Sequence, residues 1–499
     1  VKPLGALLLL AIAATAVRVV IVWHTDPSPQ DAYYFLCSQR PAPAYFDGPG
    51  GTAFITELAT AADEKSDVVW RLLGPFWALC ATLACFGFVW QFAGAARAVW
   101  IALVLNILPI FNSWALRVGP ELPALTFALL GMLAAWRASQ SKGERLLWWM
   151  GAGLFLGAGS WFSYATIPIL AGVLLIALSG PKQRRTSDLY GALAVMVIPA
   201  LCLTAPLLWN AEQDWIPIAG GTFRTVWEFG AASSLRSLTG VLRNFSPLVL
   251  PAMLLGCVLA FLEWWKGDTA GRFVFWCGLP ALLAGLYLIF RGTPADLYFL
   301  LVAPLFLIKA IDAFTSRPHL AAILRWSTVL LAGVFSCFAI YDSLRAGRGW
   351  RYAASELRRT FLERSAQGQE DLFLIGENPE VAAIVGYHLR NDFVPPAGHP
   401  TVYVPESQDI SNQFGLWPSY ADFTETGKVV DEYFTEQQAE NPFVGRSALY
   451  ITHEPAAELP QSIQAAFNAV TPLGELPAAG DNARPLYIHL CVTYQTLPL

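Results

Sequence analysis

Charge is scarce in this chain. Asp, Glu, Lys and Arg together make up 14% of its 499 residues, against about 25% in soluble domains, and mean hydropathy is +0.46. That combination excludes an ordinary water-soluble domain for most of the length. Metal-type cysteine spacing is lacking too: the eight cysteines stand singly, with no CxxC or Cys/His ligand pattern, so structural zinc is not expected. Cys80, Cys85, Cys202, Cys257, Cys277 and Cys337 lie inside apolar runs. Only Cys37 and Cys491 fall in polar segments, where two free thiols are favoured over a disulfide. Internal repeats and low-complexity tracts are absent. The six histidines are scattered, and His24 alone lies near the acids that matter below.

Apolar runs of about 20 residues are abundant, each long enough to cross a hydrocarbon core of roughly 30 Å. Hydropathy marks about eleven of them. They start near Leu4, Val68, Ala98, Leu122, Leu146, Tyr164, Leu189, Leu248, Phe273, Leu297 and Ala321, and the last ends near Tyr341. The fold class expected is therefore a polytopic α-helical membrane protein. The first run continues to Trp23, longer than a signal-peptide core, so a retained helix is favoured. Arg18 lies near its outer end and reads as a snorkelling side chain.

Basic residues set the orientation. With the N-terminus cytoplasmic, the inner loops hold Arg97, Arg137, Lys142, Arg145, Lys182, Arg184, Arg185, Lys266, Arg272, Arg317 and Arg325, the positive-inside pattern. Everything after Tyr341 then lies outside a plasma (inner) membrane. The chain divides into a membrane domain, 1–341, with a long first outer loop, 24–67, and an extracytoplasmic domain, 342–499. In the latter, 371–376 reads as a buried strand and Pro379–Arg390 as a helix, with further strands at 401–404, 448–452 and 485–494. About 155 residues can bury a core, so a small α/β domain is expected.

Three carboxylates stand at predicted span boundaries on one side: Asp31, Asp47 and Glu121. Asp31 precedes a short amphipathic segment ending at Arg40, and 52–62 reads as a second interfacial helix. A helix cap explains Asp31 as readily as catalysis does. Asp47 beside Gly48 and Pro49 suits a turn, and Glu121 suits a helix start favoured by the macrodipole. Outer segments should be poor in arginine, yet Arg117, Arg224, Arg236, Arg243 and Arg291 lie there. Arginine is suited to bidentate phosphate binding.

The stretch Asp31-Ala-Tyr-Tyr-Phe-Leu-Cys-Ser, followed by Tyr45-Phe-Asp-Gly-Pro49, resembles the first-loop signature of GT-C glycosyltransferases. Within them it is most similar to the branch of protein O-mannosyltransferases and the lipid A aminoarabinose transferase. Gly119-Pro-Glu-Leu-Pro123 resembles that branch's second-loop Thr-Pro-Asp-x-Pro. Pro206-Leu-Leu-Trp-Asn210 with Trp215, then Gln413-Phe-Gly-Leu-Trp-Pro418 and Ala448-Leu-Tyr-Ile451, resemble later motifs in the same order. Departures accompany the likeness. The family's first acid falls on Gln30, Gly48 and Gly50 replace a basic residue and a proline, and Ser163-Tyr-Ala-Thr166 lacks the family's lysine.

The resemblance implies transfer of a hexose or pentose from a polyprenyl-phosphate donor to a hydroxyl of a glycolipid, polysaccharide or protein, at the bilayer surface and without nucleic acid. Such chemistry needs a carboxylate to take the acceptor's proton and cations to stabilise the departing phosphate. Asp31 is the expected base, with Glu121 orienting the acceptor or a metal and Asp47 supporting. Arg117, Arg291 and Arg224 are the expected phosphate ligands. No cofactor is required, although the acids would serve with a divalent metal as well as without one. Two other classes stay open: a lipid-linked sugar transporter or flippase, and an inactive GT-C homologue that binds polyprenyl phosphate.

Overall fold

The computed structural model describes residues 2–63, 66–141, 143–179, 185–219, 231–313, 318–367, 372–407, 410–422, 424–431, 434–455, 458–480 and 484–496. Each of the eleven expected apolar segments is helical. They are α1 (Lys2–His24), α4 (Leu73–Ala93), α5 (Ala95–Ile107) with α6 (Pro109–Ala115), α7 (Glu121–Gln140), α8 (Arg145–Phe162), α9 (Ile167–Leu178), α10 (Arg185–Glu212), α12 (Val249–Trp265), α13 (Thr269–Phe290), α14 (Asp296–Ala313) and α15 (Pro318–Ala346). Among the described residues six helices are long and apolar enough to cross a membrane, or up to eight if each bent pair counts as one span. The count of eleven therefore includes shorter members. The segment 164–178 is too short on that criterion, and α8 and α14 do not meet it.

Bending has named causes. Pro109 cannot donate to the ladder, and α5 and α6 meet at 70°. Carbonyls freed by such a break need donors, because hydrocarbon offers none. Asn112 Nδ2 donates to the carbonyls of Asn106 and Leu108, and Ser336 Oγ to that of Ile107. Arg18 completes the cluster. Its Nη1 donates to Asn106 Oδ1 (2.9 Å) and its Nη2 to Asn112 Oδ1 (2.7 Å), with 4% of the residue exposed. Arg18 is thus no snorkelling side chain; it is a buried clamp on the break.

The expected interfacial helices are α2 (Pro29–Ser38) and α3 (Gly51–Ala62), joined through a minimal hairpin of β1 (Ala44–Tyr45) and β2 (Gly48–Pro49). An amphipathic helix that the apolar runs did not mark, α11 (Ala231–Phe245), precedes α12 at 94°.

Beyond α15, Gly349 at φ 85° turns the chain into α16 (Trp350–Ala366), a conformation glycine adopts without penalty. A mixed sheet follows in the order β3-β6-β8-β7. Its strands are β3 (Leu372–Gly376), β6 (Ser447–Thr452), β7 (Phe467–Ala479) and β8 (Arg484–Tyr494). β3 and β6 are parallel and the other pairs antiparallel. α17 (Pro379–Leu389) packs on one face, α18 (Gln461–Ala466) lies before β7, and β4 (Thr424–Asp431) and β5 (Phe434–Glu440) form a separate hairpin. The expected strand at 401–404 is only a bridge from Tyr403 to Ile375.

One packing fact positions the site. Ala32, Phe35 and Leu36 of α2, with Trp70 and Val118, belong to the same buried cluster as Leu374, Val385, Tyr387 and Ile488. The first loop thus shares one face of the sheet domain's core. Arg390 strengthens the seam by pairing with Asp67 at 2.7 Å while stacking on Phe35.

Candidate active site

A cavity of about 660 Å³ lies where the hairpin, the turn before α7 and the starts of α9 and α14 meet. Asp47, Arg117 and Glu121 line it together with Tyr164 and a third carboxylate, Asp296. Ile110, Trp114, Leu288 and Leu297 form an apolar side. The polar groups come from breaks in regular structure, which is why residues far apart in sequence converge. Asp47 sits in the hairpin turn, and Arg117 and Glu121 flank the turn between α6 and α7.

Asp47 is exposed at the hairpin turn and lines the cavity. Desolvation there pushes its carboxyl above the usual range, partly offset by the Tyr33 hydroxyl facing it. A carboxylate so raised is a better proton acceptor near neutral pH. Its backbone is fixed from the sheet domain, where Gln413 Oε1 accepts the Phe46 N–H at 2.7 Å and Gln413 is 3% exposed. Glu121 folds back over Gly119. A Cβ at that glycine would lie 2.2 Å from Glu121 Oε2 and 3.0 Å from Gln30 Nε2, so any side chain there would displace the Glu121 carboxylate.

Arg117 is the cation of this lining. Its Nη2 donates to Ser113 Oγ and its Nε to the Ser113 carbonyl, which holds the guanidinium while leaving Nη1 available for a ligand. Tyr164, which stands where the resemblance places a lysine, has its hydroxyl bonded by Asn210 Nδ2 at 3.3 Å. That is the local work of the Trp-Asn motif.

Asp31 stands apart from these residues. It is 1% exposed and does not line the cavity. Ser28 is the N-cap of α2, and Asp31 is the third helical residue of a capping box. Its Oδ2 accepts from Ser28 N (2.9 Å) and Ser28 Oγ (2.8 Å), and its Oδ1 accepts from Val118 N at 2.7 Å. Arg71 Nε stands 3.9 Å away. The same guanidinium donates to the carbonyls of Val22, Thr25 and Asp26, so Arg71 and Asp31 together tie α1, α2 and the Arg117 turn. Cap and carboxylate carry the same signal in sequence, and the cap prevails here.

Arg291 is not in the lining either. Its Nη1 donates to the Tyr287 hydroxyl and its guanidinium lies over that ring, although Thr293, two residues on, does line the cavity. Arg224 lies outside the described residues. Arg243 pairs with Asp342, Arg236 is exposed, and His24 is exposed away from the acids. Among the described residues no group of three His, Cys, Asp or Glu side chains is arranged to hold a metal. Asp296, held by Asn244 at 3.1 Å, was missed because its only sequence signal is that of a helix start.

Residues 47–209 match the family model for dolichyl-phosphate-mannose-protein mannosyltransferase. The match begins at Asp47 and includes Arg117, Glu121 and Tyr164, whereas Gln30 and Asp31 precede it. No curated protein matches in sequence. In fold, the chain is similar to ArnT from Cupriavidus metallidurans in the apo state, at 11% identity over 97% of each chain with a TM-score of 0.57. The same protein bound to undecaprenyl phosphate gives 13% identity, 97% of each chain and 0.53. The Archaeoglobus fulgidus oligosaccharyltransferase in complex with zinc and sulfate gives 12% identity over 77% of this chain and 61% of that one, at 0.53. The family-model match covers 47–209 only, and the likeness to these structures is one of fold.

Proposed function

We propose that this chain is a membrane glycosyltransferase that moves a sugar from a polyprenyl-phosphate donor to a hydroxyl acceptor. The observation that carries the proposal is the cavity itself. Carboxylates and a single arginine face an apolar flank built from helix ends, as a lipid-linked phosphate and a proton acceptor would require. ArnT bound to undecaprenyl phosphate has the same fold. Asp47 takes the proton of the acceptor hydroxyl as its oxygen forms the bond to the anomeric carbon. The bond from that carbon to the phosphate oxygen breaks, polyprenyl phosphate leaves, and Arg117 stabilises the charge that develops on it. Glu121 and Asp296 hold sugar hydroxyls. Asp31, bonded on both oxygens, positions the Arg117 turn.

Gln30 and Tyr164, in places where the resemblance puts an acid and a lysine, favour one second reading: an inactive homologue that binds the lipid phosphate. Incubating the purified protein in lipid nanodiscs with radiolabelled polyprenyl-phosphate sugars and a mixed hydroxyl-acceptor panel separates the two. Acceptor-dependent release of polyprenyl phosphate supports the transferase. Saturable lipid-phosphate binding with no release supports the second reading.

A further inference from the structure

A second cavity, of about 740 Å³, lies between the membrane domain and the sheet domain. Its floor is the start of α2 (Ser28, Pro29, Gln30) with Arg117, and its roof is the Glu377 turn and the loop after β6. The two cavities share one lining residue, Arg117. They approach each other again at Gly119, where Gln30 of the upper cavity and Glu121 of the lower one crowd the same space. A transferase brings two substrates to one point, and the lower cavity has the apolar flank that suits the lipid donor.

We infer that the upper cavity is the acceptor chamber, selective for a neutral or amine-bearing glycan and closed to polyanionic ones. The inference rests on the transferase proposal for the word acceptor, but the binding preference stands on the lining alone. Glu377, Glu380, Glu454 and Glu458 line it together with Arg117 and His453. Glu377 accepts from Thr452 Oγ1 and His453 N, and bonds the His453 ring. Burial pushes its carboxyl up, yet these bonds outweigh that and hold it below its usual value, so it remains an anion. Independent of the acids, Tyr450 lines the chamber with a buried hydroxyl that has no well-formed hydrogen bond. Such an orphan costs stability unless a ligand meets it. Trp350 supplies an aromatic surface beside His453, suited to the apolar face of a sugar ring.

The test uses full-length protein in nanodiscs and three tetrasaccharides of similar size: glucosamine tetramer, cellotetraose and tetragalacturonate. Affinity should fall in that order. Glu454 and Glu458 are exposed, so the E454Q/E458Q double variant should fold normally. It should weaken glucosamine tetramer binding by roughly fivefold, the scale of two exposed charge contacts, and leave undecaprenyl phosphate binding unchanged. E363Q, on the far end of α16, is the control and should change nothing. Tyr450→Phe should weaken cellotetraose binding without lowering Tm. Tetragalacturonate binding as tightly as the glucosamine tetramer, or no effect of the double variant, would overturn the chamber. Charge-selective tetramer binding in a protein that transfers no sugar would keep the chamber and remove the transferase.

Discussion

The two ends of the first loop present the same chemical signal and use it differently. Asp31 opens a helix, is 1% exposed, and accepts bonds at both oxygens. Asp47 sits in a two-stranded turn, is exposed and lines a cavity, and its carboxyl is raised by desolvation there, with the Tyr33 hydroxyl opposing. A carboxylate bonded on both oxygens is a strut, and one partly desolvated at a cavity wall with few bonds is readier to take a proton. Position in the motif does not distinguish them; their hydrogen bonds do.

The largest expected effect follows from that contrast. Asp47→Asn should lower transfer by roughly 10²-fold or more, the scale of general-base loss, with Tm and lipid-phosphate binding retained. Transfer surviving at full rate would place the base elsewhere, with Glu121 the next to change. The arginines offer the same kind of comparison. Arg117→Ala should weaken polyprenyl-phosphate binding by about 1.5–3 kcal/mol, as for hydrogen bonds to a charged group. Arg291→Ala, stacked on Tyr287 outside the lining, should shift it by less than about 0.5 kcal/mol. Equal losses at both positions would mean the donor enters past Tyr287.

A smaller effect sharpens the link between the domains. Gln413→Ala removes the acceptor that holds Phe46 N, loosens the Asp47 turn and hydrates the carboxylate further. The base works deprotonated, so activity rises with pH through its raised pKa. With the turn loosened, that acid limb should move to lower pH while kcat falls severalfold. Gln413→Glu, which can still accept the bond, should restore most of the rate. An unmoved limb in Gln413→Ala would make Gln413 a packing residue only. The smallest effect concerns the strut. Asp31→Asn retains capping and should reduce transfer less than tenfold. Its main signature is a lower Tm, by the roughly 1–3 kcal/mol of a disturbed buried hydrogen bond.

Much of this was legible in the sequence, and the failures have causes. Hydropathy located each membrane helix because apolar length is a one-dimensional property. It did not mark α11, whose polar and apolar faces average out, nor distinguish short helices such as α9 from full spans. In the sheet domain β3, β6, β8 and α17 were visible as apolar or periodic runs. β7 was not, because it alternates buried positions with long exposed stretches. Asp47, Glu121 and Arg117 were found through turns and motif order, and they do share a cavity. Asp31 does not join them: a capping box and a catalytic acid look alike in sequence, and the bond from Val118 N is a contact no local pattern shows. Arg18 was taken as a surface charge because no local sequence shows that the α5–α6 break lies beside it.

Side-by-side single-turnover transfer by Asp47→Asn and Asp31→Asn, from one polyprenyl-phosphate sugar across pH 5–9, tests the central claim most directly. The account predicts that Asp47→Asn is slow at every pH with its acid limb gone, while Asp31→Asn keeps the wild-type limb at a modestly reduced plateau. A lost limb in Asp31→Asn with an intact one in Asp47→Asn would contradict it.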